Sequence, residues 1–161
     1  MASKTLVVYY SYEGSTRLIA QTIATTLQTD ILECKPIRDI SSKGLMKYAW
    51  GGRQVIFKKR PVLEAFQKNP LDYDTIILGT PVWAFTYAPA IRSFLSQVSL
   101  QQKNIAVFCC HEGGMGNTLV HLKEALPNNT IIGENDFSNV VRNKEANILK
   151  AQTWAANLQR K

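Results

Sequence analysis

The chain has 161 residues, of which 45% are apolar and 19% are charged. These values fit one soluble globular domain over residues 1–161 and exclude a disordered chain or a membrane protein, whose spans need about 18 apolar residues in a row. The formal net charge is +7, and the segment from Arg38 to Arg60 carries +6 of it, with seven basic residues against one acid.

The first elements predicted along the chain are a buried strand, a helix and a second strand. Lys4 to Tyr10 is rich in β-branched and aromatic residues, which predicts a strand. From Thr16 onward, apolar residues recur every four positions and predict a helix with one buried stripe. Asp30 to Cys34 predicts the second strand, and Pro36 ends it.

After an irregular stretch at 37–74, strands and helices alternate again. Apolar runs predict strands at 75–79, 104–109 and 130–133, and apolar stripes predict helices that start near Pro89, Leu119 and Lys144. Strands without polar residues at alternate positions must be covered on both faces. The sequence therefore predicts an α/β fold with a single doubly wound, five-stranded parallel sheet and helices on both faces.

In such a sheet, ligands bind beyond the carboxyl ends of the strands, so the loops after strands one, three and four are the candidate sites. The first loop joins a strand directly to a helix start and consists of Ser11, Tyr12, Glu13, Gly14, Ser15 and Thr16. Its backbone N–H groups, its hydroxyls and the positive end of the helix dipole suit a phosphate dianion. The alternative is a helix cap and turn without a ligand.

The second loop follows the third strand and is rich in aromatic residues, with Trp83, Phe85 and Tyr87 within five positions. Its candidate residues are Pro81, Val82, Trp83, Ala84 and Phe85. A half-buried tryptophan at a loop tip is unfavourable unless something flat covers it, and a planar ring would do so. The alternative is that Trp83 and Phe85 only seal the end of the core.

The third loop carries three glycines in four residues after the fourth strand. Its candidate residues are His111, Glu112, Gly113, Gly114, Gly116 and Asn117. Bare backbone there brings N–H groups within hydrogen-bond distance of a flat ligand, and His111 either donates to that ligand or faces solvent. A rival interpretation takes Gly114, Gly116 and Glu134 as a dinucleotide-binding fingerprint, although Leu119 stands in place of its third glycine.

Together, these loops resemble those of the flavodoxin-like, FMN-binding family, and the resemblance covers nearly the whole chain. The phosphate motif S/T-x-x-G-x-T is matched by Ser11, Gly14 and Thr16, the aromatic loop by residues 81–83, and the glycine-rich loop by residues 113–116. The resemblance implies the cofactor FMN, with its phosphate at residues 11–16 and its ring between residues 81–85 and 110–117. It also implies the strand order 2-1-3-4-5 of the short-chain members.

Two departures from the family pattern bear on function. Carrier flavodoxins usually have a permissive residue near the flavin N5, where a peptide flips, whereas Ala84 and Phe85 follow Trp83 here. Carriers also tend to be acidic around the flavin, whereas this chain is basic. The basic charge and the missing glycine favour an oxidoreductase that passes electrons from NAD(P)H to a quinone or another small acceptor, whereas the small size favours a carrier. The alternative is a flavodoxin-type one-electron carrier between redox proteins.

The basic segment 38–60 is either a solvated surface or a docking surface for an anion. The phosphates of NADPH or an acidic redox protein would suit its charge, and no nucleic-acid-binding motif or membrane segment accompanies it. The three cysteines cannot form a closed set of bridges, so we expect a reducing, cytoplasmic location and interpret Cys109 and Cys110 as packing residues. The histidines lack metal-ligand spacing, and a homodimer is left open.

Overall fold

The computed structural model describes residues 3–38 and 60–160, and the element bounds refer to those two stretches. The elements in chain order are β1 (Thr5–Tyr9), α1 (Ser15–Leu27), β2 (Asp30–Glu33), β3 (Thr75–Trp83), β4 (Thr86–Tyr87), α2 (Pro89–Gln97), β5 (Asn104–His111), α3 (Thr118–Glu124), β6 (Thr130–Ser138) and α4 (Lys144–Leu158). A short 3-10 turn at Pro70–Asp72 precedes β3. The helices α2 and α4 begin at the residues that the sequence predicts.

Five of the strands form one parallel sheet in the order β2-β1-β3-β5-β6, and β4 pairs antiparallel with the end of β3. The parallel strands, counted along the chain, therefore follow the predicted order 2-1-3-4-5. The predicted total of five strands is wrong by one, because β3 continues beyond Gly79 to Trp83 and the chain turns back into β4. The stretch that the sequence analysis treats as the second loop is thus largely a short hairpin.

Alternate residues of the strands face two separate apolar layers. Leu6 and Val8 of β1 belong to the layer that also contains Phe94 of α2 and Leu122 of α3. Val7 of β1 belongs to the opposite layer, which contains residues of α1 and α4: Ile19, Ile23, Ala151 and Ala155. Because each strand is covered from both sides, the prediction of helices on both faces is confirmed. None of the described helices is long and apolar enough to cross a lipid bilayer.

The two described ends of the basic segment lie close to each other beyond the carboxyl end of β2. Pro36, just beyond β2, forms an antiparallel bridge with Leu63, and the N–H of Ile37 donates to the carbonyl of Val62 over 2.9 Å. Arg38 and Arg60 are exposed and mark the described ends of the segment, while residues 39–59 lie outside the described residues. Both described ends therefore lie beyond the carboxyl end of β2, the same edge of the sheet as the candidate loops.

Candidate functional site

The carboxyl ends of β1, β3 and β5 border a cleft of about 270 Å³. The cleft brings together residues from all three candidate loops: Ser11, Tyr12, Glu13, Ser15, Thr16, Pro81, Val82, Trp83, His111 and Glu112, together with Cys110 and Val140. The other candidate residues lie in the same loops but do not line the cleft: Gly14, Ala84, Phe85, Gly113, Gly114, Gly116 and Asn117. Three segments far apart in the chain therefore meet at one place, as the sheet topology requires.

The first loop passes directly into α1 through a glycine in an unusual conformation. Gly14 has φ +103° and caps α1, whose first residue is Ser15. The hydroxyl of Ser11 accepts a hydrogen bond from the N–H of Gly14 over 3.1 Å, which fixes the turn. A Cβ atom on Gly14 would have no neighbour within 4 Å. The loop thus has an open backbone at the start of a helix, where N–H groups lack partners within the helix.

Two buried side chains beside this helix start, the hydroxyl of Thr16 and the thiol of Cys110, carry no charge. Thr16 is 1% exposed, and its side chain hydrogen-bonds Cys110. Burial raises the pKa of the Cys110 thiol to about 12, and burial likewise raises the pKa of Cys109 to about 12. Both thiols are therefore protonated at neutral pH, which agrees with their interpretation as packing residues. Cys110 nevertheless lines the cleft, a role that the sequence analysis does not assign to it.

Trp83 connects the second loop to the first. Its ring meets the ring of Tyr10 edge-on, with centroids 5.8 Å apart, and meets Tyr12 in the same way at 5.8 Å. Edge-to-face pairs of this kind each contribute about 0.5–1.5 kcal/mol beyond their buried area. Trp83 packs against the buried core and also lines the cleft. Trp83 therefore seals part of the core and also borders the cleft, in contact with the two tyrosines, and the planar ring that would cover it stays a prediction.

Phe85 does not seal the core, because it is 64% exposed at the tip of the β3–β4 hairpin. Ala84 has φ 46° and Phe85 has φ 65°, so both residues of the two-residue turn are left-handed. This is the type I′ geometry that normally selects Asn-Gly. A Cβ atom on Gly116 of the third loop would lie 2.6 Å from the Cβ of Phe85. The hairpin tip therefore lies directly against the backbone of the glycine-rich loop.

The left-handed turn predicts that Ala84→Gly stabilises the protein. An alanine at positive φ costs about 1–2 kcal/mol, and the greater entropy of an unfolded glycine offsets part of that gain. We expect the free energy of unfolding to rise by roughly 0.5–1 kcal/mol in urea denaturation. The control is Ala146→Gly on the exposed side of α4, which should lower it by a similar amount. Equal losses for both variants would contradict the strain argument.

His111 is held between the third loop and β6. Its Nδ1 accepts a hydrogen bond from the N–H of Gly114 over 3.1 Å, and its Nε2 donates to Oδ2 of Asp136 over 2.7 Å. Its side chain is 11% exposed, so the interpretation of His111 as a solvent-facing loop residue is wrong. Both ring nitrogens have protein partners, and neither is available to donate to a ligand in this arrangement. The sequence analysis does not identify Asp136, which lies 25 positions away.

Among the described residues, the charged side chains that line the cleft are the acids Glu13 and Glu112. Arg17 follows the first loop directly, but its guanidinium pairs with Glu33 over 2.7 Å and is not part of the lining. An anion at the start of α1 would therefore be held by amides and hydroxyls. Glu134, which the rival dinucleotide fingerprint requires, pairs with Lys123 and does not line the cleft.

Comparisons with known proteins agree with this architecture. A family model described as Flavodoxin matches residues 4–151. A search of curated proteins found no significant match.

Several solved structures share the fold. A candidate flavoprotein from Bacteroides eggerthii is 23% identical, with a TM-score of 0.79 over 99% of this chain and 100% of that one. A flavoprotein from Lactobacillus acidophilus, solved with FMN, is 24% identical, with a TM-score of 0.69 over 89% of this chain and 98% of that one. Megasphaera elsdenii flavodoxin is 16% identical, with a TM-score of 0.60 over 96% of this chain and 99% of that one.

Proposed function

The chain belongs to the flavodoxin family, and from that premise we propose that it is an FMN-dependent oxidoreductase that passes electrons from NAD(P)H to a quinone or another small acceptor. The observation that carries the FMN part is the meeting of a helix-start loop, a fixed tryptophan and a glycine-rich loop around one cleft. The observation that favours an enzyme over a carrier is the hairpin that follows Trp83.

The residues present fit FMN. The open backbone at Gly14 and the hydroxyls of Ser15 and Thr16 suit a phosphate dianion at the start of α1. Trp83 offers an aromatic surface beside the cleft, and the third loop continues from His111 and Glu112, which line the same cleft, into the exposed residues Gly113 and Gly114. When bound, FMN supplies the redox chemistry, since it accepts a hydride from NAD(P)H and passes two electrons to the acceptor.

The protein's own contribution is to bind, orient and shield. The amides and hydroxyls at the start of α1 would anchor the phosphate end and so fix the position of the ring. Tyr10 and Tyr12 hold Trp83 in one orientation, so the side of the cleft that it forms is preorganised. The two loops that flank the ring site touch each other where Phe85 meets Gly116, so each supports the position of the other.

The hairpin bears on the choice between two-electron and one-electron chemistry. In carriers, the resemblance implies a peptide flip beside the flavin at this place in the chain. Here, Val82 pairs with Tyr87 and Trp83 pairs with Thr86, and the two residues between them are already left-handed. A flip of the peptide between Ala84 and Phe85 would give Ala84 the backbone angles of the first central position of a type II′ turn, which glycine normally occupies. This resistance favours an enzyme that transfers electrons in pairs.

The second candidate function is a one-electron carrier between redox proteins. Membership of the flavodoxin family supports it directly. So does the architecture, because all described elements belong to one sheet and its covering helices. The electron donor then would be a protein, with the basic segment 38–60 facing an acidic partner. In the enzyme, the same segment would bind the phosphates of NADPH.

Anaerobic reduction separates these functions. Purified protein should take up FMN and turn yellow, and NADPH alone should then bleach that colour within seconds and without any partner protein. A reductive titration should show one two-electron step. Repeating the reduction with NADH and with added salt tests the basic segment, since screening should weaken any preference for NADPH. Failure of both nucleotides to bleach the flavin, together with two separate one-electron steps, would instead identify a carrier.

A further inference from the structure

The hydrogen bonds of His111 fix its protonation state in this arrangement. A backbone N–H can only donate, so Nδ1 accepts from Gly114 and carries no proton. Nε2 therefore carries the single proton and donates it to Asp136. His111 is thus neutral and is held at both nitrogens, one by the glycine-rich loop and the other by the neighbouring strand.

Besides His111, the loop is held at its carboxyl-terminal end, where Phe85 lies against Gly116 and the hydroxyl of Thr118 donates to the carbonyl of Met115 over 2.7 Å. Residues 112–117 are all exposed, and Gly114 adopts φ +113°, a conformation that only glycine enters readily. Three glycines in four residues give this loop a large conformational entropy, which must be removed before it can meet a ring precisely. The bond from Gly114 to His111 fixes the loop at its middle.

We propose that His111, supported by Asp136, is a positioning residue that presets the glycine-rich loop to receive the flavin ring. The inference rests on the proposed function, because it assigns the loop to FMN. His111 acts only through the backbone of Gly114, so it is distinct from a proton donor to the ring. Asp136 acts one step further away by holding the imidazole in its Nε2–H form.

Two substitutions at the same position separate the two hydrogen bonds. His111→Asn keeps an acceptor near the place of Nδ1 but loses the donor to Asp136. His111→Gln keeps a donor near the place of Nε2 but loses the acceptor for Gly114. We expect His111→Gln to weaken FMN binding about fivefold to tenfold in fluorescence titrations, and His111→Asn to stay within about twofold of the original protein.

The amide of Gly114 gives a readout without any flavin. Hydrogen exchange at this amide in the apoprotein should be slow in the original protein and in His111→Asn, and faster in His111→Gln. Urea denaturation of both variants checks that the fold is retained.

The outcomes separate the two proposals. If the original protein binds no FMN, the proposed function fails and the inference fails with it. If the original protein binds FMN but both variants match it in affinity and in Gly114 exchange, the proposed function stands and the positioning role is wrong. If His111→Gln alone loses affinity and protection at Gly114, the positioning role is supported.

Discussion

FMN is expected to bind this protein at least about a hundredfold more tightly than riboflavin, which carries the same ring without the phosphate. Hydrogen bonds to a charged group each contribute about 1.5–3 kcal/mol, so two of them correspond to roughly a hundredfold to ten-thousandfold in affinity. The start of α1 offers more than two donors, counting its free amides and the hydroxyls of Ser15 and Thr16. Quenching of flavin fluorescence measures both affinities directly.

Thr16→Val isolates the hydroxyl part of this anchor. The substitution keeps the shape of a side chain that is 1% exposed and removes its only polar atom. We expect FMN to bind about tenfold more weakly and riboflavin to be almost unaffected, because the lost donor serves the phosphate. Thr25→Val is the matched control, since Thr25 is an exposed residue of the same helix. Equal affinities for FMN and riboflavin would overturn the assignment of this loop to the phosphate.

The sheet could be predicted from the sequence because its strands are buried on both faces. Runs such as Leu6 to Tyr9 and Ile76 to Leu78 have no polar position to interrupt them, and such strands require helices above and below. Those helices are recognised in the sequence by their apolar stripes, and Pro89 marks the start of one of them. Once the strand order is known, the three loops must meet at the carboxyl ends of the strands, whatever contacts each loop makes.

The hairpin could not be predicted because its turn lacks the usual residues. Ala84 and Phe85 occupy left-handed positions that normally select asparagine and glycine. Pro81 also stands within the extended part of β3, where proline is unfavourable away from an edge. The left-handed turn is maintained by tertiary contacts instead, notably the close approach of Phe85 to Gly116. Rules that consider only neighbouring residues in the sequence cannot predict a contact between residues so far apart in the chain.

The hydrogen bond between His111 and Asp136 could not be predicted from the sequence, because it depends on the register of two neighbouring strands. Asp136 meets His111 because β5 and β6 lie side by side, with Cys109 opposite Asp136 and His111 opposite Ser138. The register shifts between Ile105 and Ala106, so pairing further along β5 could not be extrapolated from the start of the strands. Sequence periodicity predicts which face a residue takes but leaves the register of neighbouring parallel strands open.

Gly79→Ala should lower the free energy of unfolding by at least about 3 kcal/mol, at the upper end of what overpacking costs in a core. A Cβ atom at this position would lie 2.1 Å from Cζ of Phe108 and 2.5 Å from its Cε1. Phe108 pairs with Gly79 across the strands and is fully buried, with Phe137 and Trp154 edge-on at centroid distances of 5.9 and 6.1 Å. The ring has no space to retreat into, so either β3 or the aromatic cluster must shift.

Two further variants test whether the clash with Phe108 causes the loss of stability, or whether alanine is poorly tolerated at glycine positions of the strands in general. A Cβ atom on Gly133 in β6 would lie 2.6 Å from Cδ2 of Leu158, the end of a flexible side chain, and at ordinary contact distances of 3.6 and 3.8 Å from Trp154. We therefore expect Gly133→Ala to lower the free energy of unfolding by less than about 1 kcal/mol. Gly79→Ala combined with Phe108→Leu should be more stable than the sum of the single losses predicts, because the smaller side chain vacates the site. Additive losses in urea denaturation would contradict the clash.

The clash at Gly79 should also affect the cleft, because β3 continues from Gly79 to Trp83. Gly79→Ala should therefore displace the indole of Trp83 and weaken FMN binding. The double variant should restore part of the stability and part of the FMN affinity.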